Sequence, residues 1–203
     1  MLAATMDALR RLWAYFDAPT PRGSIAASVS FIIVSNQPFY PLYLYLLLGG
    51  RAWPSLLSWL SGPIFAAVPY LLRQGEARGA AALMVAGIGN TALCTAALGP
   101  ASGVELFYLP CLVLPLLTLA GRERLVGLGA TVAAIVLLMA LVRLVGFEGL
   151  VAISAEETAT LQRINAFSVT GLTCVMAFLA RRLRGPALSP APGPTSVAPP
   201  AGR

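Results

Sequence analysis

Two groups of polar residues interrupt apolar runs in this sequence. Any chemistry the chain performs has to be built from them. The first group is Asn36, Tyr40 and Tyr43 together with Asn90, Thr91 and Thr95. On a helix, positions 36, 40 and 43 fall at i, i+4 and i+7 and share one face. These are neutral hydrogen-bonding groups. They can tie helices together, at about 0.6–2 kcal/mol per bond, or line a polar-walled ligand cavity, and the sequence leaves both readings open. The second group is Glu105, Tyr108, Arg143, Arg163 and Asn165. A charge within an apolar segment is costly, so it pairs or lines a cavity. Glu105 with Arg143 or Arg163 is the natural ion pair, and a ligand-sensing pocket is the other reading. The candidate ligand-binding set is therefore Asn36, Tyr40, Asn90, Glu105, Tyr108, Arg143 and Asn165.

Other chemistries lack their parts. There is no histidine and no lysine. That removes imidazole ligation of haem or zinc and histidine proton relays. Cys94, Cys111 and Cys174 all lie inside apolar runs and form no C-x-x-C motif, and buried thiols behave mainly as small hydrophobes. No Ser-His pair and no paired carboxylates within one segment are present, so nucleophilic and metal-assisted catalysis have no constellation to work with. The expectation is a chain that is not an enzyme, with no cofactor, no metal and no disulfide.

The elements that hold these residues follow from composition. Of 203 residues, 58% are hydrophobic and 11% are charged, against about 25% charged in a soluble domain. Mean hydropathy is +0.79. The apolar residues come in runs near the ~20 needed to span a bilayer as a helix. The roughly ten-residue alternating segments of a β-barrel do not appear. The expected fold class is all-α: a polytopic membrane protein with a bundle of six transmembrane helices and a short N-terminal interfacial helix. Net charge is +6, but the arginines sit at segment ends rather than on one face, so topology explains them and nucleic acid is excluded as a partner.

Six apolar segments can be marked, at 24–48, 53–72, 79–98, 103–120, 124–146 and 161–180. Six crossings put both termini on one side. The flanks on that side carry eleven arginines: Arg10, Arg11, Arg22, Arg73, Arg78, Arg122, Arg124, Arg181, Arg182, Arg184 and Arg203. The opposite flanks carry three, Arg51, Arg143 and Arg163. The positive-inside rule then predicts cytoplasmic termini. Gly99–Ser102 becomes a short external hairpin, and Glu105 lies just inside the membrane beyond it. Pro38 and Pro41 should bend the first span. Pro63, Pro69, Pro110 and Pro115 should bend the second and fourth. Gly87, Gly89, Gly127 and Gly129 suit close helix packing.

The remaining pieces are short. Leu2, Met6, Leu9, Trp13 and Phe16 recur at helical spacing beside Arg10 and Arg11, as expected of a helix lying in the interface. The longest loop is 147–160, where Ser154 and Glu157 have the spacing of a capping box. The tail 185–203 holds six prolines and is expected to be disordered. The domain reading is 1–23 as amphipathic helix and linker, 24–184 as the transmembrane domain and 185–203 as a cytoplasmic tail.

One stretch, NTALCTAALGPASGVELFYLPCLVLPLLTLAGRER from Asn90 to Arg124, is similar to a known region. It resembles the six-span sensor region at the N-terminus of bacterial signalling proteins, namely class III adenylate or guanylate cyclases, sensor histidine kinases and diguanylate cyclases. The shared features are Asn90 in span three, the Gly-x-x-Ser-Gly hairpin of Gly99, Ser102 and Gly103, an aromatic-rich span four and the pair Glu123–Arg124. Asn36 in span one also fits. Members usually continue from span six into a signalling helix and an output domain. Here Arg181-Arg182-Leu183-Arg184 leads into the proline-rich tail, so no output activity is carried over. The resemblance implies a receptor module of the bacterial inner membrane that binds a small apolar or membrane-derived ligand and passes a helix shift inward.

The partners this admits are the lipid bilayer, a small-molecule ligand, a cytoplasmic or membrane signalling protein and a second copy of the chain. A small transporter or permease subunit is the alternative. Broken helices with polar residues at mid-depth suit it, but no inverted repeat is visible and no acidic residue sits at mid-membrane.

Overall fold

The computed structural model describes residues 2–183. Eight α-helices carry the fold among these residues: α1 (Leu2–Phe16), α2 (Pro21–Asn36), α3 (Phe39–Leu48), α4 (Gly62–Gln74), α5 (Glu76–Leu98), α6 (Tyr108–Thr118), α7 (Gly121–Val145) and α8 (Ala155–Ala180). Four 3-10 stretches join them, at Gly49–Ser61, Pro100–Ser102, Val104–Phe107 and Arg181–Leu183. The tail expected to be disordered lies outside the described residues.

Among the described residues, four stretches are long and apolar enough to cross a membrane: Pro21–Gln74, Glu76–Leu98, Gly121–Val145 and Ala155–Ala180. Val104–Thr118 is apolar but shorter. The first stretch has 54 residues and doubles back on itself. Thr20 bonds Glu76, Ser30 bonds the Phe65 carbonyl and Gln37 bonds the Ser58 carbonyl. Residues ever later on one arm thus meet residues ever earlier on the other, so α2 and α4 run antiparallel.

Local chemistry sets the start and the bend of the first arm. The Thr20 hydroxyl accepts from Gly23 N–H at 3.0 Å and Pro21 opens the first turn, so α2 begins three residues before the apolar run that marks it. The helix breaks at Gln37–Pro38. Pro41 has no N–H to give the Gln37 carbonyl, and Trp59 Nε1 donates to that carbonyl instead, at 3.2 Å.

The second arm departs from an ordinary helix. Gly49–Ser61 is 3-10 for 13 residues, where runs beyond three or four are uncommon. Side chains at i and i+3 eclipse in a 3-10 helix, and this sequence repeats small residues at that interval. Ala52, Ser55, Ser58 and Ser61 are all buried, while Trp53, Leu56 and Trp59 are exposed. The buried stripe lets the segment lie against α3 and α5. Two hydroxyls reinforce the tight winding by donating to carbonyls three residues back, Ser55 to Ala52 at 2.6 Å and Ser61 to Ser58 at 2.8 Å.

Helix α5 is the central post, touching α2, α4, α6, α7 and the long 3-10 segment. One apolar cluster, including Ile25, Phe65, Leu83, Leu114 and Met176, fills the end of the bundle nearer the chain termini. A second, including Leu44, Leu48, Leu98 and Leu161, fills the far end. Helices α7 and α8 are peripheral, with Leu144 86% and Phe167 82% exposed. Such faces are at ease only against lipid. Helix α8 starts six residues before the expected segment because the Ser154 capping box forms. Glu157 N–H donates to the Ser154 hydroxyl, and Ser154 N–H donates to the Glu157 carboxylate at 2.9 Å. Helix α1 packs Trp13 and Phe16 against Phe31 of α2, and Arg73 of α4 donates to the Ala14 and Tyr15 carbonyls.

The far end is closed by glycines. Gly99 has φ +84°, and a Cβ there would lie 2.4 Å from the Glu148 carbonyl oxygen. The loop after α7 therefore crosses directly over the end of α5, and Leu150 N–H donates to the Ala97 carbonyl at 2.8 Å. Gly103 (φ +78°) lets α8 approach, since a Cβ there would meet Gln162 at 3.1 Å.

Candidate functional site

The space left between α2–α3, α5, α6 and α8 is a cavity of about 950 Å³. Its existence follows from the bend at Pro38. Breaking α2 from α3 at Pro38 turns polar positions 36, 37 and 40 inward, and α8 closes the opposite wall. Helix α8 makes its side-chain hydrogen bonds to other elements in its first half, where Gln162 donates to the Ala101 carbonyl at 2.9 Å and Asn165 donates to the Ser102 carbonyl at 3.0 Å, and its second half is held by packing, with Met176 and Leu179 buried in the first apolar cluster. Below that point α8 presents Phe167, Gly171 and Val175 to the cavity, and all three are exposed. The mouth therefore faces sideways, toward lipid.

Asn36, Tyr40 and Asn90 line this cavity together. Their surroundings differ. Asn36 is exposed at the wall. Asn90 is tied into the scaffold, its Oδ1 lying 2.9 Å from Ser61 Oγ and sharing that hydroxyl's one hydrogen with the Ser58 carbonyl. Ser61 in turn accepts from Gln37 Nε2 at 2.7 Å. A relay Gln37–Ser61–Asn90 thus joins the end of α2, the 3-10 segment and α5. Tyr40 turns its hydroxyl toward Asn165 and Cys94, yet that hydroxyl and Asn165 Oδ1 are buried without a well-formed hydrogen bond. Ser58, also on the wall, has a buried hydroxyl in the same condition.

The charged group divides. Arg143 Nη2 donates to Glu105 Oε2 at 2.8 Å, so of the two arginines considered, Arg143 is the partner. This pair joins the end of α7 to the 3-10 turn before α6, away from the cavity wall. Tyr108 is buried in a cluster with Ile88, Cys111 and Ile135. Asn165 is fully buried behind Tyr40, and Arg163 lies on the cavity side of α8. The residues that spacing placed in one constellation thus belong to two places, one against α7 and one against α8. At the same end Arg51 pairs with Glu157 and donates to the Ala152 carbonyl at 2.8 Å.

Gln37, Ser58 and Ser61 were not marked as site residues by spacing. The signal that finds the two serines is the period-three run of small residues from Ala52 to Ser61, which an α-helical template hides; Gln37 has no such signal.

A family model matches residues 16–183, from the last residue of α1 to the end of the described chain. The chain belongs to the MASE7 family. MASE domains are membrane-associated sensor regions of bacterial signalling proteins. The MASE7 match spans the bent α2–α3 arm, the hairpin at 99–103 and α8, which are the elements that build the cavity. No curated protein and no solved structure matches the chain. For this MASE7 chain, then, the membrane-sensor character comes from the family and the site from geometry alone.

Proposed function

We propose that the chain is a six-crossing receptor module of the bacterial inner membrane with both termini in the cytoplasm. A small apolar or membrane-derived ligand enters the cavity from the bilayer, and its occupancy shifts α8 against α2–α3. That shift is the signal passed to an output partner. The six crossings are 21–48, 49–74, 76–98, 104–118, 121–145 and 155–180. The antiparallel fold-back of 21–74 supports the first two, and the 3-10 turn Val104–Phe107 extends the short fourth. The eleven-to-three division of arginines supports the orientation.

The carrying observation is the sideways-opening cavity of about 950 Å³, one wall of which is α8. Pockets that take single small ligands run to about 300–1,000 Å³. A ligand that fits one position of α8 better than another shifts the equilibrium by that difference in affinity. The transporter alternative gains nothing from the family.

The reading is tested without knowing the ligand by filling the cavity from within. A Cβ on Gly171 would meet no atom within 4 Å and Gly171 lines the cavity, so the side chain of Gly171→Leu has an open start into that space. Spin labels at Leu42 of α3 and Thr170 of α8, in a background lacking the native cysteines, report the separation of the walls. Gly171→Leu should change the distance distribution. Identical distributions with and without the substitution would refute a movable α8.

A further inference from the structure

We propose that the cavity takes a single-chain amphiphile with an anionic head group, held at its far-end mouth by Arg163. The proposal rests on the ligand-site reading above and adds the chemistry of the ligand.

The far end carries three arginines, and two are satisfied. Arg51 pairs with Glu157 and Arg143 pairs with Glu105. Arg163 has neither an ion pair nor a side-chain hydrogen bond among the described residues, and it is the arginine that lines the cavity. A guanidinium is always charged and offers a planar fork of donors matched to carboxylate or phosphate oxygens. Facing a chamber whose other lining residues are all uncharged, it selects for an anion.

Past this mouth the wall carries neutral polar groups, Asn36, Gln37, Ser58 and Asn90, together with apolar stretches through Ile33, Val29, Phe65, Leu114, Leu172 and Met176. From Arg163 to Met176 the helix advances thirteen residues, about 20 Å at 1.5 Å each. That is a depth for an extended hydrocarbon chain rather than a compact ring system. The lateral mouth lets such a chain slide in from the leaflet while its head stays at the level of the far surface.

The test is direct binding to the full chain purified in neutral detergent. Hexadecanoate is the probe, with hexadecanol as its uncharged counterpart and phosphatidylglycerol as a two-chain anionic lipid. Binding is read by native mass spectrometry and by displacement of a fluorescent acyl probe. Hexadecanoate should bind at least about tenfold more tightly than hexadecanol, the worth of one charge-assisted hydrogen bond. Arg163→Gln should erase that preference, and Arg163→Lys should keep part of it. Gly171→Leu, which fills the channel and leaves Arg163 in place, should weaken both single-chain probes.

Equal affinity for acid and alcohol, or an acid preference that survives Arg163→Gln, overturns the assignment of the head group. If binding is still lost in Gly171→Leu under those results, the cavity stands as a ligand site and only its charge selectivity fails. Displacement by phosphatidylglycerol as effective as by hexadecanoate overturns the single-chain claim. Failure of hexadecanoate to bind the native chain overturns the proposal outright, while the distance measurement between α3 and α8 remains a separate judge of the receptor reading.

Discussion

Arg143, in the last turn of α7, reaches across to Glu105 in the 3-10 turn before α6, and their charged atoms meet at 2.8 Å. The Glu105 side chain is 17% exposed and that of Arg143 is 59% exposed. The pair is therefore half withdrawn from solvent. It lies between exposed pairs worth about 0.2–1 kcal/mol and buried pairs whose rupture costs about 3–5 kcal/mol. Glu105→Gln should lower stability by about 1–2 kcal/mol. Thermal denaturation in detergent of the single and double variants checks the partner. Glu105→Gln and Arg143→Gln should be non-additive, whereas Glu105→Gln and Arg163→Gln should simply add. Coupling to Arg163 instead would mean that the ion pair is misassigned.

That pairing shows how far spacing alone carries. The sequence leaves Glu105 two candidate arginines because both sit at ends of apolar segments on one side, and depth is all that segment counting supplies. Which way α7 and α8 turn is a matter of rotation about their axes. Their outward faces are as apolar as their inward ones, so hydrophobic periodicity does not fix it. The helical class, the segment positions and the Ser154 cap were legible because length, hydropathy and capping chemistry are local. The 3-10 winding of Gly49–Ser61 was hidden, although its period-three serines were in view, because long 3-10 runs are uncommon. The cavity depends on the α2–α3 bend facing the side of α8 that carries Phe167, Gly171 and Val175. The prolines announced the bend, but nothing local announced which face of α8 would meet it.

The relay through Ser61 makes a modest prediction for Asn90. Removing the amide in Asn90→Leu leaves the Ser61 hydroxyl with its intra-segment bond to the Ser58 carbonyl, at 2.8 Å. No buried group is then wholly stranded. The loss should be no more than about 2 kcal/mol, the upper range for interhelical hydrogen bonds in membranes. Ser61→Ala removes the middle of the relay and should cost at least as much, because Gln37 and Asn90 both lose a partner. Apparent melting temperatures of the two variants decide this. A larger loss in Asn90→Leu than in Ser61→Ala would mean that Asn90 acts through something other than the relay.

Orientation is tested by reporters. An alkaline phosphatase domain inserted beside Ser154 should be active, and one fused after Arg184 should be inactive. The expectation rests on arginine bias and on Ser154 lying at the opposite end of α8 from Arg181–Leu183. The reverse pattern would overturn the cytoplasmic assignment of the termini. Equal activity at both positions would overturn an uninterrupted crossing by α8.

The close approach of the loop after α7 to Gly99 yields the sharpest prediction. Gly99 has φ +84° and ψ +150°, a region that only glycine enters readily, at a penalty of about 1–3 kcal/mol for other residues. A methyl group there would also sit 2.4 Å from the Glu148 carbonyl oxygen. Strain and collision act together, so Gly99→Ala should cost about 3 kcal/mol. The damage should be local as well as global. Moving the loop off α5 breaks the bond from Leu150 N–H to the Ala97 carbonyl, so amide exchange at Leu150 should speed up well before the helices unfold. Gly129→Ala is the control. It lies within α7 at a negative φ, and the added methyl would meet no atom within 4 Å, so stability should change by less than about 1 kcal/mol. If both variants melt alike and exchange at Leu150 is unchanged, the loop does not rest on Gly99, and the account of the far-end closure is wrong.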